Sequence, residues 1–348
     1  MNQGITLQRL VILILFLGGI LTQGTLFAQN TTSINRAGTT AAQFLKIGVG
    51  GRAIGMGNAY TAIAEDITAV FWNPAGIARI PGNGEAGFNH ANWLADIDFD
   101  FAAVSFNSPG LGSVSASIIS LRVPDDVVRT FENPEGTGQV WDAASIAAGI
   151  TYARNLTDRF AIGFTGKFVQ ERIFNIRANG FAVDFGVLFD TPMEGLTLAA
   201  SISNFGTKMH LNGRDLFVDI NPSSEDGGAT NIPGEYRTEY FEMPLNMKFG
   251  LAWHAIENDD LQLLLTTEAN QPNDNAEYIN SGVEFGFKNT VFLRGGYKTL
   301  GLEDSEQGFT FGAGIRYDVV GTNLAFDFGY QDYGRLENVQ FVSLGIRY

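Results

Sequence analysis

The chain has 348 residues, a formal net charge of −15 and no cysteine. This acidic charge argues against nucleic acid as a partner, and the absence of cysteine excludes disulfide bonds, thiolate metal sites and a cysteine nucleophile. The 28 Phe and 42 Gly residues favour short aromatic strands over long helices.

The first 28 residues have the organisation of a secretory signal peptide. Arg9 supplies a positive charge, residues 10–20 are apolar, and Ala28 is a small residue at which cleavage is expected. The alternative is a membrane-anchoring helix, but the polar and small residues 22–25 end the apolar run before the ~20 residues that a span needs. We therefore expect an exported mature chain that crosses a membrane by strands, if it crosses one at all.

Residues 29–84 precede any regular strand pattern and are rich in Gly and Ala. Within them, residues 50–80 read GGRAIGMGNAYTAIAEDITAVFWNPAGIARI. Gly55 and Gly57 loosely match a dinucleotide-binding fingerprint. That fingerprint requires a strand–helix–strand unit, which the surrounding sequence lacks, so nucleotide binding is not expected.

This segment is predicted to fold as a compact lumenal hatch, with a short helix from Tyr60 to Val70 and a turn at Asn73. Glycine permits tight turns and a close approach of the backbone to a surrounding wall. A barrel of the size predicted below has a lumen that its own side chains do not fill, so a hatch would close it. A disordered linker is the alternative, which Phe71, Trp72 and the low charge disfavour.

From residue 85 to residue 348, apolar and polar residues alternate in segments of roughly ten residues separated by turns. In residues 181–190, FAVDFGVLFD, a large apolar residue occupies every second position. A period of two indicates strands. The aromatic face suits lipid, and the opposite face, with small residues and a few charges of both signs, suits a closed lumen. The charges predicted to face the lumen are Lys167, Glu171, Asp184, Lys248, Glu284, Arg294, Lys298, Arg316 and Asp327.

We count about fourteen such strands, whose length fits the ~9–11 residues of a tilted spanning strand. The sequence therefore predicts an all-β transmembrane antiparallel β-barrel in outer-membrane lipid, with an N-terminal lumenal hatch. An even strand number places both ends of the barrel, and the start of the hatch, on the periplasmic side. The predicted strands are 84–92, 97–108, 112–121, 143–154, 160–173, 178–190, 196–204, 243–256, 261–270, 276–287, 291–300, 308–318, 323–333 and 336–348.

Short connections alternate with longer or more variable ones, a pattern typical of outer-membrane barrels with short periplasmic turns and long extracellular loops. The two longest are residues 122–141 and 205–242. Their aromatic side chains are candidate contacts for a partner, and packing over the barrel mouth is the alternative interpretation. These residues are Phe131, Trp141, Phe217, Tyr236, Tyr240 and Phe241. The final strand ends on Tyr348, which is similar to the terminal aromatic signal of outer-membrane proteins.

The stretch GGRAIGMGNAYTAIAEDITAVFWNPAGIA resembles the N-terminal signature of the PorV/PorQ family of outer-membrane proteins. The resemblance is close over residues 37–80 and continues more loosely, as strand pattern and terminal aromatic, over the rest. The family belongs to the wider FadL-like superfamily, in which an NPAG motif lies in the hatch. The hatch-motif residues of this chain are Arg52, Gly55, Gly57, Asp66, Trp72, Asn73, Pro74 and Gly76.

The resemblance implies a fourteen-stranded barrel with a hatch. For the PorV branch it implies a role in type IX secretion, with the C-terminal signal domains of secreted cargo and the large translocon barrel as partners. For the PorQ branch it implies surface action with a partner that attaches cargo. FadL itself takes up long-chain fatty acids, so the wider superfamily also implies a transporter.

Three functions follow as hypotheses. The first is a non-enzymatic secretion component that presents its loops to cargo or other secretion proteins. The second is a FadL-like transporter for long-chain fatty acids or other hydrophobic compounds, with a hydrophobic ligand in the lumen. Its ligand pocket would be formed by hatch residues Ile54, Met56, Ile63, Phe71 and Trp72. The third is a membrane enzyme, but no catalytic, cofactor or metal site is predicted, because the three histidines are scattered without ligand spacing.

Overall fold

The computed structural model describes residues 36–220, 232–302 and 305–348. The predicted signal peptide, residues 1–28, and the start of the predicted hatch, residues 29–35, lie outside the described residues. Within the described ranges, no helix combines the length and apolar character needed to cross a bilayer.

Fourteen long antiparallel strands of the described chain form a closed β-barrel, as the sequence predicts. Consecutive strands pair in order, and β17 pairs with β1 to close the barrel, with Gly345 opposite Gly87. Between β7 and β11, short strand β8 pairs with β6, and β9 pairs with β10. The strands are β1 Gly84–Trp93, β2 Ile97–Ser108, β3 Gly112–Val127, β4 Val140–Thr157, β5 Phe160–Ile173, β6 Ile176–Asp190, β7 Leu196–Gly206, β8 Asn212–Gly213, β9 Phe217–Ile220, β10 Ile232–Glu235, β11 Asn246–Glu257, β12 Leu261–Pro272, β13 Tyr278–Phe287, β14 Val291–Leu300, β15 Phe309–Val319, β16 Thr322–Asp332 and β17 Asn338–Arg347.

The two faces of the strands separate as the alternation predicts. On β6, Phe181 and Phe185 are exposed on the outside, whereas Asp184 between them is buried. The same division holds on β16, where Phe326 is exposed and Asp327 is buried. An apolar exterior around a charged and polar interior is the arrangement of an outer-membrane barrel in lipid.

Connections fall at alternate ends of the barrel, which we call the turn end and the loop end. Four loop-end connections, residues 94–96, 174–175, 273–277 and 333–337, are no longer than the longest turn. The alternation in length predicted from the sequence therefore does not hold for every connection. The described connections at the turn end are residues 109–111, 158–159, 191–195, 258–260, 288–290 and 320–321. Those at the loop end are residues 94–96, 128–139, 174–175, 207–220, 232–245, 273–277, 301–302, 305–308 and 333–337.

The long connection predicted at residues 122–141 is shorter in the structure. Strand β3 continues to Val127 and β4 begins at Val140, because residues beyond the predicted strand ends still pair, with Asp126 opposite Trp141. Trp141 therefore lies on a strand and not in a loop. Long loops of such barrels face the cell exterior, which makes the loop end the extracellular end.

The hatch, residues 36–83 of the described chain, folds inside the barrel from short pieces. These are 3₁₀ helix Gln43–Lys46, α1 Gly51–Gly55, α2 Ala69–Trp72 and 3₁₀ helix Pro74–Arg79. The helix predicted from Tyr60 to Val70 is wrong, since only its last residues join α2. The backbone N–H groups of Tyr60 and Thr61 donate instead to the Glu268 carboxylate of β12, at 3.2 and 2.9 Å. A side chain of the wall thus replaces the acceptors that a helix would supply.

The direction of the hatch also differs from the prediction that it begins on the periplasmic side. Its first described residues lie at the loop end, where the Ala41 N–H donates to the Glu242 carbonyl at 2.9 Å. Lys46 pairs with Asp274 of another loop-end connection at 2.9 Å. The hatch then reaches the turn end, where the Asn83 N–H bonds the Tyr348 carbonyl at 2.7 Å. The segment therefore runs through the lumen from the loop end to the turn end.

Candidate functional site: the hatch and the loop end

Glycines of the barrel wall allow the hatch backbone to pass at close range. A Cβ added at Gly186 of β6 would lie 1.9 Å from Asn73 Oδ1. Across the lumen, a Cβ added at Gly282 of β13 would lie 2.4 Å from the Met56 carbonyl oxygen. Such distances leave no room for any side chain. Part of the glycine richness of the strands is therefore a requirement of hatch packing.

Three hatch-motif glycines also lie against other backbone at close range, two of them against the barrel wall and one within the hatch. Gly57 has a φ of +66°, and a Cβ there would lie 2.6 Å from the Ser281 carbonyl oxygen of β13. A Cβ at Gly55 would lie 2.8 Å from the backbone of β15. Gly76 packs against the hatch itself, since its Cβ would lie 1.7 Å from the Ala64 carbonyl oxygen. These positions explain the glycines of the motif by close approach, without a nucleotide.

The NPAG turn locks the hatch to β6 through one buried amide. Asn73 Nδ2 donates to the carbonyl oxygens of Thr61, at 2.9 Å, and Val187, at 3.1 Å. Asn73 Oδ1 accepts from the Ala75 N–H at 3.2 Å and so caps the 3₁₀ helix that begins at Pro74. Asparagine suits a cap, and proline suits the first helical position because its missing N–H needs no acceptor there.

Arg52 ties α1 to the opposite wall through a buried ionic network. Its Nε and Nη2 donate to the Glu284 carboxylate at 2.9 and 2.8 Å. Glu284 also accepts from Arg294 Nε at 2.5 Å, and Arg294 Nη1 donates to Asp327 at 2.7 Å. Buried charges are tolerated when they are paired and hydrogen-bonded, and this network supplies that pairing across β13, β14 and β16.

Asp66 organises the irregular segment that replaces the predicted helix. Its carboxylate accepts hydrogen bonds from the Tyr60 hydroxyl and from both the N–H and the hydroxyl of Thr68. Burial is the main cause that raises the pKa of Tyr60 well above its ordinary value, so this phenol stays protonated and remains a donor. Asp66 is therefore a fixed structural acceptor of the hatch.

Trp72 forms part of the floor of the loop-end half of the lumen. Its indole Nε1 donates to the Val49 carbonyl at 2.8 Å, which holds the ring in place. The Lys248 ammonium of β11 lies 4.7 Å from the centre of that ring, a cation–π distance. Of the five residues proposed to form a lipid pocket, Ile54, Met56 and Ile63 are buried in the hatch core, and only Phe71 and Trp72 border a cavity.

Two cavities flank the hatch. The turn-end cavity has a volume of about 360 Å³ and is lined by arginines and acids in similar number. The loop-end cavity, which we call the loop-end chamber, has a volume of about 1110 Å³ and lies above Phe71 and Trp72. Its wall contains asparagines, three acids and four lysines. The acids are Asp274, Glu277 and Glu306, and the lysines are Lys46, Lys167, Lys248 and Lys298.

The loop aromatics differ in how firmly they are packed. Phe131, Phe217 and Tyr236 are 103%, 63% and 65% exposed. Tyr240, by contrast, stacks on His210 with ring centres 4.3 Å apart. Phe241 is held by two backbone hydrogen bonds to Met209, each of 2.8 Å. Phe217 and Tyr236 border the β9–β10 hairpin, so this hairpin carries the freest aromatic surface of the long connection.

Sequence reasoning missed several residues that build this site. Glu268 and Asp274 hold the hatch at β12 and at a loop-end connection, and the wall glycines admit its backbone. The signal for Glu268 was its parity on β12, since it shares the inward face with Thr266 and Asn270. Among the described residues, no group of three or more His, Asp or Glu side chains is arranged to hold a metal ion.

Comparison with known proteins adds a family and a fold. The family model described as type IX secretion system protein PorV matches residues 29–189. Among solved structures, the P. putida toluene transporter TodX is similar, with a TM-score of 0.54 and 13% identity, covering 86% of this chain and 96% of that one. No curated protein matches the sequence significantly.

Two further solved structures share the fold. The Ralstonia pickettii toluene transporter TbuX has a TM-score of 0.51 and 13% identity, and a Pseudomonas aeruginosa FadL homologue has a TM-score of 0.50 and 12% identity. In both cases the likeness covers 86% of this chain and 97% of the other. The PorV match confirms the relationship predicted from the sequence over residues 29–189, and the fold is that of an outer-membrane β-barrel.

Proposed function

We propose that this barrel is a non-enzymatic component of type IX secretion, and that its loop end binds secreted cargo or the translocon barrel. The observation that carries the proposal is the β9–β10 hairpin, whose borders expose Phe217 and Tyr236. Exposed aromatics on an otherwise polar connection act as contact anchors when a partner buries them. The PorV match supports the secretion context.

The filled lumen supports the same proposal. The hatch contacts β6 through Asn73 and β13 through Arg52, on opposite sides of the barrel. A lumen occupied in this way leaves the loop end as the surface that a protein partner can reach from outside the cell. Recognition is therefore assigned to the loops, and the hatch is assigned to closing the barrel.

The test replaces both anchors in the double variant Phe217→Ser/Tyr236→Ser. Truncation of an aromatic anchor costs about 2 kcal/mol or more of binding free energy, so we expect loss of surface-delivered proteins and of co-purification with the translocon barrel. The control is Val320→Ser, which removes an even more exposed apolar side chain at the turn end. Both variants should keep the heat-modifiable gel mobility of a folded barrel.

Normal delivery by the double variant would contradict the proposal. A second candidate, uptake of a hydrophobic compound, is favoured by the fold shared with toluene transporters and by Phe71 and Trp72 at the chamber floor. Normal protein delivery, together with fatty-acid uptake that is lost in Phe71→Ala/Trp72→Ala, would support this transporter. The charged and amide-rich chamber wall weighs against it, because apolar ligands favour predominantly apolar sites.

A further inference from the structure

Two lysines of the loop-end chamber form no ion pair with any residue that the structure describes. Lys248 and Lys298 are 6% and 7% exposed, and neither forms an ion pair within 4.0 Å among the described residues. The other two chamber lysines are neutralised, since Lys46 pairs with Asp274 at 2.9 Å and Lys167 pairs with Asp184 at 2.8 Å. Buried ammonium groups without a paired anion are rare in proteins.

The surroundings of these ammonium groups supply no carboxylate at ion-pair distance among the described residues. Glu268 and Asp184 attract Lys248 from a longer range. Asp184 already pairs with Lys167, and Glu268 Oε2 accepts from the Tyr60 and Thr61 N–H groups of the hatch, while its Oε1 has no hydrogen-bond partner. Lys248 faces the ring of Trp72 instead. Lys298 experiences the repulsive charges of Lys46 and Lys248, which a low-dielectric lumen strengthens.

We propose that the loop-end chamber binds an oxyanion, a carboxylate or phosphate group, between Lys248 and Lys298. An oxyanion would accept charge-assisted hydrogen bonds from both ammonium groups and relieve their repulsion. The chamber volume of about 1110 Å³ admits a molecule much larger than the anionic group itself. The amides of Asn246, Asn270 and Asn280 in the wall offer further polar contacts to that molecule.

This site is separate from the loop surface of the proposed function. The proposed secretion role depends on aromatic anchors outside the barrel, whereas the anion site depends on charges inside it. Either proposal can fail alone. A barrel that binds no anion can still deliver proteins through its loops, and a barrel that binds the anion can still deliver them without the β9–β10 hairpin. The two experiments therefore report on different proposals.

The test measures equilibrium binding of radiolabelled pyrophosphate and of radiolabelled acetate to the detergent-purified full barrel at constant ionic strength. Saturable binding of pyrophosphate assigns a phosphate ligand, and saturable binding of acetate alone assigns a carboxylate. Lys298→Met should weaken binding about tenfold to a hundredfold, the range for one charge-assisted hydrogen bond. Lys298→Arg should retain it, because the positive charge remains.

The matched control is Lys288→Met, which removes an exposed lysine at the turn end and should bind like the wild type. Trp72 provides a second readout, since an anion drawn to Lys248 should change the indole fluorescence of the wild type but not of Lys248→Met. No saturable binding of either anion, or equal binding by the wild type and Lys298→Met, would overturn the proposal. An equal loss in Lys288→Met would show non-specific charge attraction and would overturn it as well.

Discussion

Gly186→Ala offers a sharp test of whether the hatch closes the barrel. The new methyl group would lie 1.9 Å from Asn73 Oδ1, so the Asn73 side chain must move away from β6. The matched control is Gly166→Ala on neighbouring β5, where an added Cβ has nothing within 4 Å. The two substitutions add the same methyl group to the same wall, and only one of them meets the hatch.

The magnitude follows from the hydrogen bonds that Asn73 makes. Its amide donates to Thr61 and Val187 and accepts from the Ala75 N–H. Each such bond contributes about 1 kcal/mol, and a buried group left without a partner costs about 1–3 kcal/mol. A loss of about 3 kcal/mol in the closed state corresponds to about a hundredfold rise in the population of open hatch.

Single-channel recordings in planar bilayers measure this population directly. We expect frequent or prolonged openings in Gly186→Ala, while Gly166→Ala stays as closed as the wild type. Both should show the heat-modifiable mobility of a folded barrel. If well-folded Gly186→Ala remained closed, or if Gly166→Ala opened equally, the contact between the NPAG turn and β6 would not be what holds the hatch shut.

Two further predictions concern the direction and the anchoring of the hatch. Because the described hatch begins at the loop end, Thr39→Cys should react with a membrane-impermeant maleimide on intact cells. Leu111→Cys at the turn end should react only after lysis. The reverse pattern of labelling would refute this direction of the hatch. Glu284→Gln removes the buried carboxylate that Arg52 and Arg294 share, and removing one partner of a buried ion pair costs about 3–5 kcal/mol. It should therefore lose its folded gel band at a lower temperature than the exposed control Glu257→Gln, and equal melting of the two would count against the network.

The barrel itself was predictable because its environment imposes a simple pattern. Lipid outside and a polar lumen inside force apolar and polar residues to alternate along every strand. The outward position of Phe181 and Phe185 and the inward position of Asp184 can therefore be predicted from the sequence alone. Strand ends were less predictable. Asp126 and Trp141 still pair beyond the end of the alternating pattern, because the backbone hydrogen bonds between strands do not require apolar and polar side chains to alternate.

The hatch could not be derived in the same way, because its structure depends on partners far away in the sequence. Tyr60 and Thr61 take their acceptor from Glu268, and this contact overrides the local helix pattern. Its direction depends on Ala41 meeting Glu242 and Lys46 meeting Asp274. The motif glycines and Asn73 were recognisable as important, but their roles required the wall that they touch.

The family match covers the hatch and the first strands of the barrel, and it ends before the later strands. Residues 29–189 include the described hatch and strands β1 to β6, and so include both sides of the contact between Asn73 and Gly186. That half therefore carries a complete locking unit, the NPAG turn together with the wall glycine that receives it. The β9–β10 hairpin, Lys248 and Lys298 all lie beyond residue 189. Substitutions in the β9–β10 hairpin, or at Lys248 and Lys298, should therefore alter what this barrel binds without disturbing the lock.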